Sequence, residues 1–150
     1  MADGPSSPRL VQPIGILLVD DNPLDARATF RAAERLQLGG SISLVSDGEA
    51  ALAHLRTGVA ANNPTDLVLL DLNLPGKDGR DVLCEIRADP DLGPTPVVVL
   101  TSSYDEADVL GAYRLGANAY IPKPSTLDDW VRVVSIINDF WLSVALLPSR

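Results

Sequence analysis

The sequence predicts an α/β fold: a doubly wound, five-stranded parallel sheet with five helices, the last of them extended. Three observations lead there. Short apolar runs recur at Ile14 to Val19, Leu67 to Leu70 and Val97 to Leu100. Each run stops at a polar residue, namely Asp20, Asp71 and Thr101. Stretches with helical spacing, bounded by Asn, Asp, Gly or Pro, lie between the runs. Apolar runs this short suit strands covered on both faces. Their alternation with helices implies a parallel sheet with right-handed crossovers.

Taken in order, residues 1–13 are rich in Pro, Ser and Gly and read as a disordered leader. The first strand runs from Ile14 to Val19. Asn22-Pro23 then opens a helix, with proline near its first position. Ala28, Phe30, Ala33, Leu36 and Leu38 give that helix its apolar surface, and Gly39-Gly40 ends it. Ser41 to Val45 alternates apolar and polar residues, as a more exposed strand does. Asp47 caps a helix over Glu49 to Leu55, and residues 58–65 form a loop. The strand Leu67 to Leu70 follows, then a Pro75-Gly76 turn and a helix from Asp81 to Arg87. A Pro-rich stretch leads into Val97 to Leu100. A helix from Asp105 to Leu115 is terminated by Gly116. Ala119 to Ile121 is the last strand, and Leu127 to Leu147 reads as one long final helix. The chain thus divides into a leader (1–13), one domain (14–138) and an extension of the last helix (139–150). There is no internal repeat.

Composition bounds the function. The 150 residues suit one domain, and a 46% apolar content is ample for a core. The net charge of −8 argues against nucleic acid and against anionic membrane surfaces. The single cysteine, Cys84, gives no internal disulfide and falls in an apolar helical pattern, so it reads as a small buried hydrophobe. His54 has no second histidine or cysteine beside it and reads as a surface residue. No signal peptide is visible, and no apolar stretch approaches the ~20 residues of a membrane span. A soluble, cytoplasmic protein is expected.

In a doubly wound sheet, ligands bind at the carboxyl ends of the strands. Those ends here carry Asp20 and Asp21, Asp71, Thr101 and Lys123. Carboxylates brought this close repel one another unless a cation lies between them. Hard oxygen ligands with room for water and a phosphate oxygen suit Mg²⁺. A lysine and a threonine hydroxyl suit phosphoryl oxygens. Metal, lysine, hydroxyl and carboxylate nucleophile together are the parts of a phosphoryl-transfer site. Each residue alone has a bland alternative, such as a capped turn or a solvated charge. Their joint placement at four strand ends favours the chemical reading.

The segments LLVDDNP (17–23), LVLLDLNLPGKDG (67–79), VVVLTSS (97–103) and GANAYIPKP (116–124) closely resemble the response-regulator receiver domains of two-component systems. The resemblance covers roughly residues 14 to 138 and implies the flavodoxin-like receiver fold. It further implies that Asp71 is the phosphoacceptor, with Asp20, Asp21 and the Asn73 backbone carbonyl as further Mg²⁺ ligands. Lys123 would pair with the phosphoryl group, Thr101 would hydrogen-bond it, and Tyr120 would change rotamer with Thr101. A cis Lys123–Pro124 bond is implied too. Asn73 and Ser103 occupy positions where this family tunes the lifetime of the acyl phosphate.

The last helix carries more apolar surface than one packed face needs. Trp130, Val134, Ile137, Trp141 and Val144 form one stripe, while Val131, Val133, Ile136, Phe140, Leu142, Leu146 and Leu147 are additional. Two readings remain open: a tail folded back on its own domain, or a contact with a second copy or a partner. The segment DFWLSVALLP (139–148) resembles the tails of small receivers paired with bacterial and cyanobacterial phytochrome histidine kinases, which implies a homodimer touching through Phe140, Trp141, Leu146 and Leu147.

The expected function is a single-domain response regulator, not a conventional enzyme. It takes a phosphoryl group from a sensor histidine kinase, and its output goes through protein contacts or onward transfer, since no output domain follows in the sequence. A phosphorylation-independent scaffold is the alternative. An aspartyl-phosphate hydrolase would need an acid where Asn73 stands. A flavin-binding relative would need a phosphate-cradling loop where Asp20-Asp21 would repel one.

Overall fold

The computed structural model describes residues 14–38 and 41–148. The expected leader, the Gly39-Gly40 helix stop and residues 149–150 lie outside the described residues. The elements are β1 (Gly15–Val19), α1 (Pro23–Arg35), β2 (Ser41–Val45), α2 (Gly48–Ala60), β3 (Leu67–Leu70), α3 (Gly79–Ala88), β4 (Val97–Thr101), α4 (Glu106–Arg114), β5 (Ala119–Pro122) and α5 (Leu127–Ile137), followed by a π-helical segment, Asn138–Val144. Every strand pairing is parallel, in the order β2-β1-β3-β4-β5.

Strand periodicity sorts the core into two layers, because successive side chains alternate between faces. Leu17, Val19, Val68, Leu70, Val97 and Val99 point to one face, against Leu52 and Leu55 of α2 and Val82, Leu83 and Ile86 of α3. Ile16, Leu18, Leu67, Leu69 and Val98 point to the other, with Ala26 of α1 and Ile137 of α5. Ala32, Leu100, Trp130 and Val134 complete that second layer. Burial on both faces is why β1, β3 and β4 read as unbroken apolar runs.

Each α-helix begins at a side-chain cap. Asn22, Asp47, Asp78, Asp105 and Thr126 each accept a hydrogen bond from a backbone N–H of the first turn. Such a cap typically contributes about 1 kcal/mol. It satisfies a donor the helix would otherwise leave unpaired. Gly116 ends α4 as expected, at φ 104, and a Cβ there would lie 2.8 Å from Nε of Arg87.

Several expectations need correction. Helix α2 runs on to Ala60 rather than stopping near Leu55, and Val59 packs against the core. Cys84 is exposed, because α3 turns Gly79, Val82, Leu83 and Ile86 inward and that spacing leaves Cys84 on the outer side. In α1 the buried residues are Ala26, Thr29 and Ala32, while Phe30 is exposed. The final helix does not continue to Leu147. It passes into the π-helical segment, where Ala145 N–H donates to the carbonyl of Phe140 at 2.7 Å, and Ala145 is already extended. The wider turn breaks the stripe of the last helix. Val144 is left 72% exposed, whereas Leu147 is buried. The Lys123–Pro124 bond is trans, as are all peptide bonds among the described residues. Trans is the lower-energy isomer.

Candidate functional site

The strand order reverses direction between β1 and β3, since β1 connects to β2 on one side and β3 to β4 on the other. A crevice forms at such a point beyond the carboxyl ends of the strands. The register pairs Val19 with Leu70, so the residues that follow, Asp20 and Asp71, stand side by side. The ladder continues past them, with Asp71 N–H donating to the Val19 carbonyl at 2.9 Å and Asp20 N–H to the Val45 carbonyl at 3.1 Å. Gly79 lies so close to the main chain of Asp71 and Leu72 that a Cβ would have no room. This close approach seats the first turn of α3 directly under the site.

Carboxylate oxygens of Asp20, Asp21 and Asp71 come within 4.8 Å of one another. Asp20 and Asp71 are buried, and Asp21 is exposed at the rim. Thr101 Oγ1 donates to Asp71 Oδ1 at 3.1 Å, and so does the backbone N–H of Asn73, also at 3.1 Å. Lys123 Nζ lies 2.8 Å from Asp71 Oδ2, 3.0 Å from Asp20 Oδ2 and 2.7 Å from Asp25 Oδ2. Its side chain is only 9% exposed. The lysine reaches in because its backbone N–H bonds the Thr101 carbonyl at 2.8 Å, which extends the β4–β5 ladder.

The structure thus brings together Asp20, Asp21, Asp71, Thr101 and Lys123, which the sequence reading placed at four strand ends. Asn73 is exposed two residues beyond Asp71. Tyr120 is half-buried, its hydroxyl donating to the Ser103 carbonyl at 3.1 Å. In the tail, Phe140 and Leu146 are 52% and 77% exposed, while Trp141 packs on the second core layer and Leu147 is buried. Asp25 escaped the sequence reading. Its one signal was an acidic residue in the first turn of the helix that follows Asp21.

Electrostatics explain what the site can hold. Burial pushes the Asp20 carboxyl above its ordinary range, more strongly than the Asn22 N–H and Lys123 pull it down. Burial alone would lower Lys123, but its contacts with Asp25, Asp71 and Asp20 outweigh that and hold it above the ordinary lysine range. Three carboxylates, those of Asp20, Asp25 and Asp71, face one ammonium with Asp21 beside them, and the cluster carries an excess of negative charge. A divalent cation held by hard oxygen donors offsets that excess, so the residues fit such an ion. Asp71 is flanked by the Thr101 hydroxyl, the Lys123 ammonium and that donor set.

Comparison with known proteins agrees with this geometry. The response regulator receiver domain family matches residues 16–135. Response regulator Rcp1 of Synechocystis sp. is 41% identical, the match covering 99% of this chain and 99% of Rcp1. The phosphorylated cyanobacterial phytochrome response regulator RcpA is similar in structure, with a TM-score of 0.85 and 44% identity over 92% of this chain and 100% of that one. The Mn²⁺-bound form of Rcp1 gives a TM-score of 0.81 at 43% identity, covering 91% of this chain and 100% of that one.

Proposed function

This chain belongs to the response regulator receiver domain family and acts as a phosphorelay receiver, and from that premise we propose that Asp71 is the residue that accepts the phosphoryl group. The observation that carries the proposal is the convergence on Asp71 of Lys123, Thr101, Asp20 and Asp21. An oxygen of Asp71 attacks the phosphorus of a phosphohistidine. A P–O bond forms as the P–N bond breaks, and the electron pair of that bond returns to the imidazole nitrogen. Lys123 passes from the carboxylate to a phosphoryl oxygen, and Thr101 donates to another. Asp20, Asp21, Asp71 and the Asn73 carbonyl would hold Mg²⁺, which when bound would neutralise phosphoryl charge. Hydrolysis of the acyl phosphate by water returns the Asp71 carboxylate and inorganic phosphate. The chain is a regulator and not a conventional enzyme, since its own side chain carries the phosphoryl group between transfer and hydrolysis.

The donor is a sensor histidine kinase of the phytochrome type, a reading supported by the relationship to the phytochrome response regulator RcpA. Residues 14–138 form the receiver unit and residues 139–150 its tail. Thr101 and Tyr120 carry the switch between the two states. The chain forms a homodimer through the tail, for which the exposed Phe140, Val144 and Leu146 offer apolar surface, while Trp141 and Leu147, also expected at that contact, are packed on the core and buried. The net charge of −8 supports protein partners over nucleic acid or an anionic membrane. No described helix is long and apolar enough to cross a membrane. A phosphorylation-independent scaffold is not favoured, because a scaffold has no use for this charged cluster.

Intact mass after incubation with acetyl phosphate tests the proposal. One added phosphoryl group is expected, dependent on Mg²⁺, abolished by chelator and absent in Asp71→Asn. Labelling of Asp71→Asn at the wild-type rate would refute the assignment.

A further inference from the structure

We infer that Arg80 and Asp108 form a latch on the loop between β4 and α4 that opposes filling of the phosphoryl site, acting as positioning residues through Ser103; this rests on the receiver reading above. The latch begins next to the site. Gly79 is seated against the main chain of Asp71, so the backbone of Arg80 is fixed relative to the phosphoacceptor. Asp78 caps α3 by accepting from Arg80 N–H at 2.8 Å, and it also holds the guanidinium, with Nη1 at 3.2 and 3.3 Å from its two oxygens. The guanidinium is thereby aimed across to α4, where Nη2 donates to Asp108 Oδ1 at 3.0 Å.

Asp108 passes the contact on. Its Oδ2 accepts from Ser103 Oγ at 2.7 Å, and Ser103 Oγ accepts in turn from Asp105 N–H at 3.2 Å. The carbonyl of Ser103 accepts from the Tyr120 hydroxyl. The hydroxyl and the carbonyl of Ser103 are therefore committed to partners other than Asp71. The Ser103 hydroxyl, and then Arg80, hold Asp108 below the ordinary carboxylate range, so it is charged at neutral pH.

The consequence follows from Thr101, two residues before Ser103. Its hydroxyl now sits 3.1 Å from Asp71 Oδ1. A phosphoryl group on Asp71 puts three new oxygens in front of that carboxylate, so Thr101 must re-seat, and the short loop carries Ser103 with it. Contacts made in the free form and strained by that shift favour the free form, because a ligand moves an equilibrium only by its differential affinity for the two states. The side chains of Arg80 and Asp108 are 36% and 34% exposed. A pair that open to water is worth about a two- to fivefold change in an equilibrium.

The test is the half-saturating concentration of beryllofluoride, which stands in for the phosphoryl group, measured with Mg²⁺ by the bound ¹⁹F resonance. Asp108→Ala and Arg80→Gln are each expected to tighten binding by about two- to fivefold. The double variant should match the tighter single variant, since both changes open one linkage. Arg80→Gln is the discriminating variant. Removing a cation near an anion site weakens binding by simple electrostatics, whereas opening the latch tightens it. Glu106→Gln removes an exposed charge from the same turn of α4 and should leave binding unchanged. Weakened or unchanged binding in Arg80→Gln, or equal effects of Asp108→Ala and Glu106→Gln, would overturn the latch while the receiver reading stands. A wild-type protein that binds no beryllofluoride would overturn the receiver reading, and the latch with it.

Discussion

Replacing Lys123 with Met removes the ammonium shared by Asp20, Asp25 and Asp71 while keeping a side chain of similar length. The carboxylates of Asp20 and Asp71 are only 2% and 5% exposed, so water cannot take over from the lysine. Breaking a buried ion pair by removing one partner typically costs about 3–5 kcal/mol. Loss of that size at neutral pH in chelator is expected, read as a lower urea midpoint at unchanged slope. The pH dependence sharpens the case. Burial already raises Asp20, so the variant can relieve its charge by taking up a proton there, and the deficit should shrink as pH falls toward the carboxylate range. In the wild type, Lys123 is raised above its ordinary value of 10.5. Its contribution is therefore complete below that pH and is lost only as pH climbs through the higher folded value. Mg²⁺ should recover part of the deficit in the variant, because a divalent cation also neutralises the cluster. A deficit below about 1 kcal/mol in chelator, or one that stays constant as pH falls from neutrality into the carboxylate range, would refute this account of the site.

Three further outcomes are expected. Mn²⁺ affinity, followed by electron paramagnetic resonance of the free ion, should begin to fall at a pH above the ordinary carboxylate range, because the raised Asp20 binds a proton in competition with metal. Gly116→Ala should destabilise by about 1–3 kcal/mol in denaturant titration, since φ 104 strains any residue with a Cβ and that atom would press on Arg87. Cys84→Ser should change stability by no more than about 0.5 kcal/mol, and the folded wild type should react with a thiol reagent without prior unfolding, because Cys84 is exposed.

Most of the site was legible in the sequence because its residues terminate apolar runs. Asp20 and Asp71 directly follow their strands and Thr101 is the last residue of its own, and a parallel sheet brings all such ends to one edge. The chain pattern alone thus placed sequence-distant groups together. The caps were legible in part for a similar local reason: Asn22 and Asp47 sit immediately before their helices.

Other features depended on how elements meet. Asp25 reaches Lys123 across 98 residues of chain, through the placement of α1 beside the end of β5, and nothing in either local stretch encodes that approach. Cys84 lay in an apolar pattern, yet the side of α3 that faces the sheet was decided by Val82, Leu83 and Ile86. The regular stripe of the last helix presumed 3.6 residues per turn, and the π-helical segment rotated Val144 outward and let Leu147 fold in. The sequence by itself determined which strands are buried, where they end and which charges stand at those ends, because these follow from local order and a period of two. Only the tertiary structure decided which side chains from different elements touch, because that depends on helix rotation and crossing geometry, which are set by the packing of the whole core.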